Sequence, residues 1–135
     1  MTAVVVDASA LVAALTDAGP AGAWVAETIA DRHLAAPDLA PVETANVLRR
    51  LEHAGHLTTV EASLAHADLL ALPFELWPYA ILGRRAWQLR GSFTAYDAMY
   101  VALAELVDAP LVTLDIRLAR SAGSTAVVQT PPPVP

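Results

Sequence analysis

The strongest constraint on this chain lies near its start. A run of β-branched residues, Val4-Val5-Val6, stops at an acid, Asp7, and gives way at once to an Ala/Leu-rich stretch over residues 8–15. A short, continuously apolar run bounded in this way reads as a buried strand, and the stretch after it as a helix that Asp7 or Ser9 can cap. A strand buried on both faces needs helices above and below it. This points to a parallel sheet in an α/β fold.

The alternation continues along the chain. Residues 16–20 form a break, and a helix is expected over 21–31 with Trp24, Val25 and Ile29 as its inner face. A second strand over 33–36 is closed by Pro37-Asp38. The helical pattern over 39–53 carries an apolar stripe of Val42, Ala45, Val47, Leu48 and Leu51, and Gly55 fits its stop. Thr58 opens a helix through Leu72, with Glu61 at the capping-box spacing. A strand over 74–77 and a helix over 79–90 follow, then a helix from Thr94 to Val107. A strand over 110–114 ends at Asp115, a short helix spans 116–121, and a last strand covers 125–128. The chain has 135 residues, of which 56% are apolar, which suits one domain over 1–130 with a Pro-rich, extended tail over 131–135.

What the chain lacks narrows its chemistry. It has no Cys, which excludes thiol nucleophiles, disulfides and Cys-held zinc or iron–sulfur centres. All eight basic residues are Arg, so Schiff-base lysines and a P-loop lysine are excluded as well. The first residues have no basic segment ahead of the apolar run, which Asp7 interrupts, so no secretory signal is expected. No stretch approaches 18 uninterrupted apolar residues, so no membrane span and a cytoplasmic location are expected. The net charge of −6 weighs mildly against nucleic acid as a partner, but an acidic cluster that holds divalent cations would contribute to it.

Ligands of open α/β sheets bind beyond the carboxyl ends of the strands. Asp7 and Asp115 stand at two such ends. Asp97 falls in the first turn of the helix opened by Thr94, and Glu43 lies close to Pro41 at the start of another. Each has a plain structural reading: Asp7 and Asp115 as helix caps, Asp97 as complement to a helix dipole, Glu43 as a solvent-facing acid. Together they suggest more, because they sit in apolar segments and only Asp115 has a cation, Arg117, within a few residues. Two carboxylates about 5 Å apart repel by ~3 kcal/mol at an effective dielectric of about 20. If the four converge without an Arg, they must retain protons or bind a divalent cation. All-oxygen ligation suits Mg²⁺ or Mn²⁺, ions that clamp phosphoryl oxygens and activate water for in-line displacement.

The motifs around these acids resemble the PIN-domain family, and within it the VapC-type ribonuclease toxins of bacterial toxin–antitoxin pairs. The resemblance is carried by Val5-Val6-Asp7-Ala8-Ser9-Ala10-Leu11 and Pro41-Val42-Glu43-Thr44-Ala45-Asn46-Val47-Leu48. It continues in Thr94-Ala95-Tyr96-Asp97-Ala98-Met99-Tyr100-Val101-Ala102-Leu103-Ala104, and in Pro110-Leu111-Val112-Thr113-Leu114-Asp115 with Arg117-Leu118-Ala119. These stand in the family's order and span nearly the whole chain. The resemblance implies a three-layer α/β/α fold with a short, mostly parallel central sheet. It implies that Asp7, Glu43, Asp97 and Asp115 form an acidic pocket for Mg²⁺ or Mn²⁺, with hydroxyls at Ser9 and Thr113 beside it. It implies an endoribonuclease whose products carry a 5′-phosphate and a 3′-hydroxyl. It also implies a homodimer and a cognate VapB-like antitoxin whose tail occupies a groove near the site. Asp7 and Asp97 are expected as direct ligands. Glu43 and Asp115 are expected to act through water or to position the nucleophile.

The remaining polar and aromatic residues are expected to be structural. Arg49, Arg50, Arg84, Arg85 and Arg90 read as solvated helix faces, and Arg117 as a phosphate contact or surface residue. His33, His53, His56 and His66 read as surface histidines, and Trp24, Trp77 and Trp87 as core or interface. Tyr96 and Tyr100 are the exception: both lie near Asp97 and could approach the site, with support of the same helix as the plain reading of Tyr100 at i+3. A haloacid-dehalogenase-type phosphatase wants an Asp where Ser9 stands, and also a Lys. A receiver domain lacks its Lys, and no G-x-G-x-x-G follows the first strand. The remaining alternative is a PIN-like, non-catalytic RNA- or protein-binding module.

Overall fold

A computed structural model describes residues 2–121 and 123–133; Met1, Ala122 and the last two residues of the Pro-rich tail lie outside the described residues. The first half runs β1 (Ala3–Val6), α1 (Ala8–Thr16), α2 (Pro20–Ile29), β2 (His33–Pro37), α3 (Ala40–His53) and α4 (Thr59–Ala71). The second half runs β3 (Glu75–Trp77), α5 (Tyr79–Gln88), α6 (Ala95–Val107), β4 (Leu111–Val112), α7 (Ile116–Arg120) and β5 (Val128–Gln129).

The strands form one all-parallel sheet in the order β3-β2-β1-β4-β5. β1 is central, with Val5 paired to Ala35 on one side and Leu111 on the other, and Val4, Val5 and Val6 are completely buried. The chain steps outward from β1 to β3, then crosses to the far side of β1 to lay down β4 and β5. Right-handed crossovers therefore place α1–α4 on one face and α5 and α6 on the other. The reversal leaves a crevice between the carboxyl ends of β1 and β4, where such sheets bind ligands. α6 is the most buried helix, with Ala98 to Ala104 inaccessible in an unbroken run.

Close helix packing has a visible requirement at Gly22. A Cβ there would lie 1.9 Å from the Asp17 carbonyl oxygen, so the α1–α2 corner admits only glycine. The capping box at Thr58 forms in full: Glu61 N–H donates to Thr58 Oγ1 at 3.1 Å and Thr58 N–H to Glu61 Oε1 at 2.9 Å. Gly55 ends α3 with φ of +81°, as its position suggested.

Several expectations are corrected. α2 stops at Ile29 because Asp31 adopts φ of +57°, in the left-handed region. In α3 the buried residues are Ala40, Thr44 and Leu48, whereas Val42 is 66% exposed. Thr44 can take an inner position because its hydroxyl donates to the Ala40 carbonyl at 2.8 Å. β5 begins at Val128 and not at Thr125, whose N–H donates instead to Glu105 Oε2 at 3.3 Å. Trp24 and Trp77 pack against the core, but Trp87 is 64% exposed and carries Arg90 4.4 Å from its ring centroid. Arg85 is only partly solvated: its guanidinium forks onto Glu105 at 2.6 and 3.1 Å. All four histidines are exposed, and His33 meets Glu75 at 2.6 Å. Among the described residues no helix is long and apolar enough to cross a membrane.

Candidate active site

The four acids all stand at helix N-termini. Asp7 is the N-cap of α1 and Asp115 of α7, while Glu43 and Asp97 lie in the first turns of α3 and α6. α1, α3 and α7 follow directly from the carboxyl ends of β1, β2 and β4. α6 leads into the start of β4, so it runs antiparallel to the strands and its first turn reaches the same edge. Strand-to-helix connectivity thus gathers all four acids on one edge of the sheet, where the positive ends of helix dipoles favour carboxylates.

A hydroxyl frame fixes the centre of this edge. Asp7 is 7% exposed; its Oδ1 accepts from Ser9 Oγ at 2.7 Å and from Ala10 N–H at 3.0 Å, and its Oδ2 accepts from Thr113 Oγ1. Both hydroxyls are held from behind by backbone. Leu114 N–H donates to Ser9 Oγ at 3.0 Å, and Asp115 N–H to Thr113 Oγ1 at 2.9 Å. Each hydroxyl uses its oxygen to accept and its proton to donate, so the ends of β1 and β4 are locked around one carboxylate. Asp7 is therefore both a helix cap and the middle of a polar network.

Electrostatics separate the acids. Burial pushes the Asp7 carboxyl above its ordinary pKa despite hydrogen bonds from Thr113, Ser9 and Ala10, and the Asp97 charge adds to the rise. Burial also raises Glu43, against the Tyr100 hydrogen bond and together with the charges of Asp97 and Asp7. Asp97 is raised by burial and then by Asp115, with Arg117 opposing. Asp115 behaves oppositely: hydrogen bonds from Arg117 hold it below the ordinary range. Arg117 Nη2 lies 2.7 Å from Asp115 Oδ2 and its Nε 3.0 Å from Oδ1. Asp97 thus feels, or is felt by, each of the other three acids.

The acids act on one another's charge, yet among the described residues no three His, Asp or Glu side chains already stand close enough to hold a metal ion between them. The donor set itself suits a hard divalent cation: it offers only oxygen, and three of its carboxylates are disfavoured as anions by burial and mutual repulsion. Glu43 is only partly solvent-facing. Tyr100, which is 2% exposed, donates its hydroxyl to Glu43 Oε1 at 2.6 Å. Sequence reasoning missed this contact, although a polar aromatic one turn beyond Asp97 was a usable signal.

A doubly wound parallel sheet with acids across its switch point defines a class of α/β proteins that place ligands at the strand ends. The comparisons specify it further. The family model described as "PIN domain" matches residues 4–124, and the chain belongs to the PIN domain family. It is 36% identical over 126 residues to Ribonuclease VapC12 of Mycobacterium tuberculosis, covering 93% of this chain and 97% of that protein. It is 40% identical over 115 residues to Ribonuclease VapC9 of the same species, covering 85% and 87%. Two solved structures share the fold. Mycobacterium tuberculosis VapC20, described as a sarcin-ricin loop cleaving toxin, superposes with a TM-score of 0.68 at 18% identity, covering 92% of this chain and 98% of that one. A chain of VapBC2 from Rickettsia felis, bound to a DNA fragment from its promoter, superposes with a TM-score of 0.65 at 14% identity, covering 96% and 98%. The three-layer arrangement implied by the family resemblance is the one found, with its sheet all-parallel.

Proposed function

We propose that this protein is a Mg²⁺- or Mn²⁺-dependent endoribonuclease acting as the toxin of a type II toxin–antitoxin pair. The observation that carries the reading is the set of acids on one sheet edge, three of them raised by burial and by one another. The two VapC relatives, named ribonucleases and matched over most of the chain, support it.

Asp7 and Asp97 would hold the metal directly, and Glu43 and Asp115 through water or by orienting the nucleophile. Bound there, the ion supplies a Lewis acid for a phosphoryl oxygen and lowers the pKa of an attacking water. Ser9, Thr113 and the Ala10 N–H hold Asp7 still, so its oxygens keep their direction when charge changes at the site. Arg117 is the basic side chain tied to the site acids, and its guanidinium can turn to a phosphate at little cost because exposed ion pairs are worth about 0–1 kcal/mol. The products would carry a 5′-phosphate and a 3′-hydroxyl.

A VapB-like antitoxin, a homodimer and a cytoplasmic location belong to the same proposal, as does a single domain over 1–130 with 131–135 as its tail. Exposed Val42, Tyr96 and Ile116 each adjoin a site acid in sequence, an apolar rim that a protein partner would cover. On α5 and α6, exposed Ile81 and Leu106 line one groove and offer a second apolar surface for a second copy. One observation favours a non-catalytic PIN-like module instead: among the described residues no three acids already stand at ligating range. The two readings separate when partner-free protein is incubated with total RNA and Mn²⁺ and new ends are mapped by sequencing. The enzyme gives discrete cleavages that need both metal and Asp97. The module gives none, and no thermal stabilisation by Mn²⁺.

A further inference from the structure

We infer that Tyr100 is a positioning residue of this site: its phenol sets the orientation of Glu43, and through it the affinity for a divalent cation. The inference rests on the reading that these carboxylates hold such an ion. A phenol hydroxyl in a protein interior is unfavourable unless partnered, and Tyr100 is 2% exposed within the most buried stretch of the chain. Packing alone would be served by Phe. The hydroxyl's hydrogen bond goes to Glu43 Oε1, at 2.6 Å, across a sequence separation of 57 residues.

The two ends of this bond differ in freedom. Tyr100 is fixed by burial: it is 2% exposed within the inaccessible run Ala98–Ala104 of α6, one turn after Asp97. Glu43 is a long side chain in the first turn of α3, next to exposed Val42. Left alone, a Glu at such a position samples several rotamers, each at a different distance from Asp7 and Asp97. The phenol selects one and ties α3 to the helix that carries Asp97. It engages only Oε1, so among the described residues Oε2 has no protein donor. Hydrogen-bond partners of ligating carboxylates act in this way, and losing one typically costs about 10–100-fold in metal affinity or activity.

The test is Tyr100→Phe, which deletes only the hydroxyl, with Mn²⁺ affinity of the full-length, RNA-free protein read by calorimetry. Tyr79→Phe, at a half-exposed position on α5, is the control for losing a phenol elsewhere. About tenfold weaker Mn²⁺ binding is expected for Tyr100→Phe, with no change for Tyr79→Phe. A second pair removes the ambiguity of a merely structural effect. In a Glu43→Gln background, Tyr100→Phe should weaken Mn²⁺ binding no further, because its route through Glu43 is already broken. Unchanged affinity in the single variant overturns the inference and leaves the nuclease reading standing. The same loss in both backgrounds also overturns it, since Tyr100 would then act through the core. A parent protein that binds no Mn²⁺ overturns the nuclease reading and this inference with it.

Discussion

Two groups of partly or fully buried carboxylates sit on this fold and are treated in opposite ways. At the α6–β5 corner, Glu105 accepts a two-pronged contact from Arg85 at 2.6 and 3.1 Å, the Ser124 hydroxyl and the Thr125 N–H. The Arg85 hydrogen bonds, with those from Ser124 and Thr125, hold its carboxyl below the ordinary range. At the carboxyl edge of the sheet, Asp7 receives hydroxyl and N–H donors and Glu43 a phenol, but neither they nor Asp97 has a cation of its own, and all three are raised. The first carboxylate is matched to its surroundings and stitches the chain. The other three are mismatched, and a fold tolerates such a cluster where something from outside completes it.

The largest effect should come from breaking the mismatched group. Asp97 is coupled to each of the other acids, so Asp97→Asn should lower metal-dependent RNA cleavage by about 100-fold or more, read as loss of new RNA ends. Stability should move the other way. Without metal, Asp7→Asn should melt higher than the parent at neutral pH, by about a few degrees.

The sign follows from linkage. A carboxyl whose folded pKa lies above its unfolded one contributes stability below the unfolded value and loses it as pH rises through the folded value. The advantage of Asp7→Asn should therefore be greatest at neutral pH and shrink as pH falls toward the ordinary carboxylate range. Calorimetric melts of both proteins across pH check this.

The matched group should respond in the opposite sense. Glu105→Ala removes the acceptor that Arg85, Ser124 and Thr125 share, and should cost about 1–2 kcal/mol in urea unfolding, discounted because Arg85 is partly exposed. Its stabilisation is present above the ordinary carboxylate pKa and is lost as pH falls through the depressed one. RNA cleavage should be unchanged. The smallest effect is expected from Arg117→Gln, which removes a pair whose Arg side chain is 81% exposed and should leave the urea midpoint indistinguishable from the parent's.

The contrast also explains what the sequence revealed. Asp7 and Asp115 were legible because local pattern, a β-branched run broken by an acid, fixes both the strand end and the cap. Asp97 was legible from Thr94, which caps α6 by accepting its N–H at 3.1 Å. Contacts between distant segments were not legible. The Tyr100–Glu43 bond spans 57 residues and Arg85–Glu105 spans 20, and no local periodicity encodes either. The α3 stripe was misread at Val42 for a related reason. The first turn of α3 lies at the open edge of the sheet, so an apolar residue there faces outward while Thr44 turns in with its hydroxyl satisfied by its own helix. β4 proved shorter than the apolar run that contains it and β5 shifts to Val128–Gln129, because strand length follows ladder pairing, and β4 pairs with both β1 and β5 through Leu111 and Val112.

The central claim is that the mismatched acids hold a divalent cation and the matched one does not. Calorimetric titration of partner-free protein with Mn²⁺ tests it directly, with Asp97→Asn and Glu105→Gln in parallel. The account predicts saturable binding by the parent and by Glu105→Gln, and its loss in Asp97→Asn. No binding by the parent, or equal binding by Asp97→Asn, would contradict it.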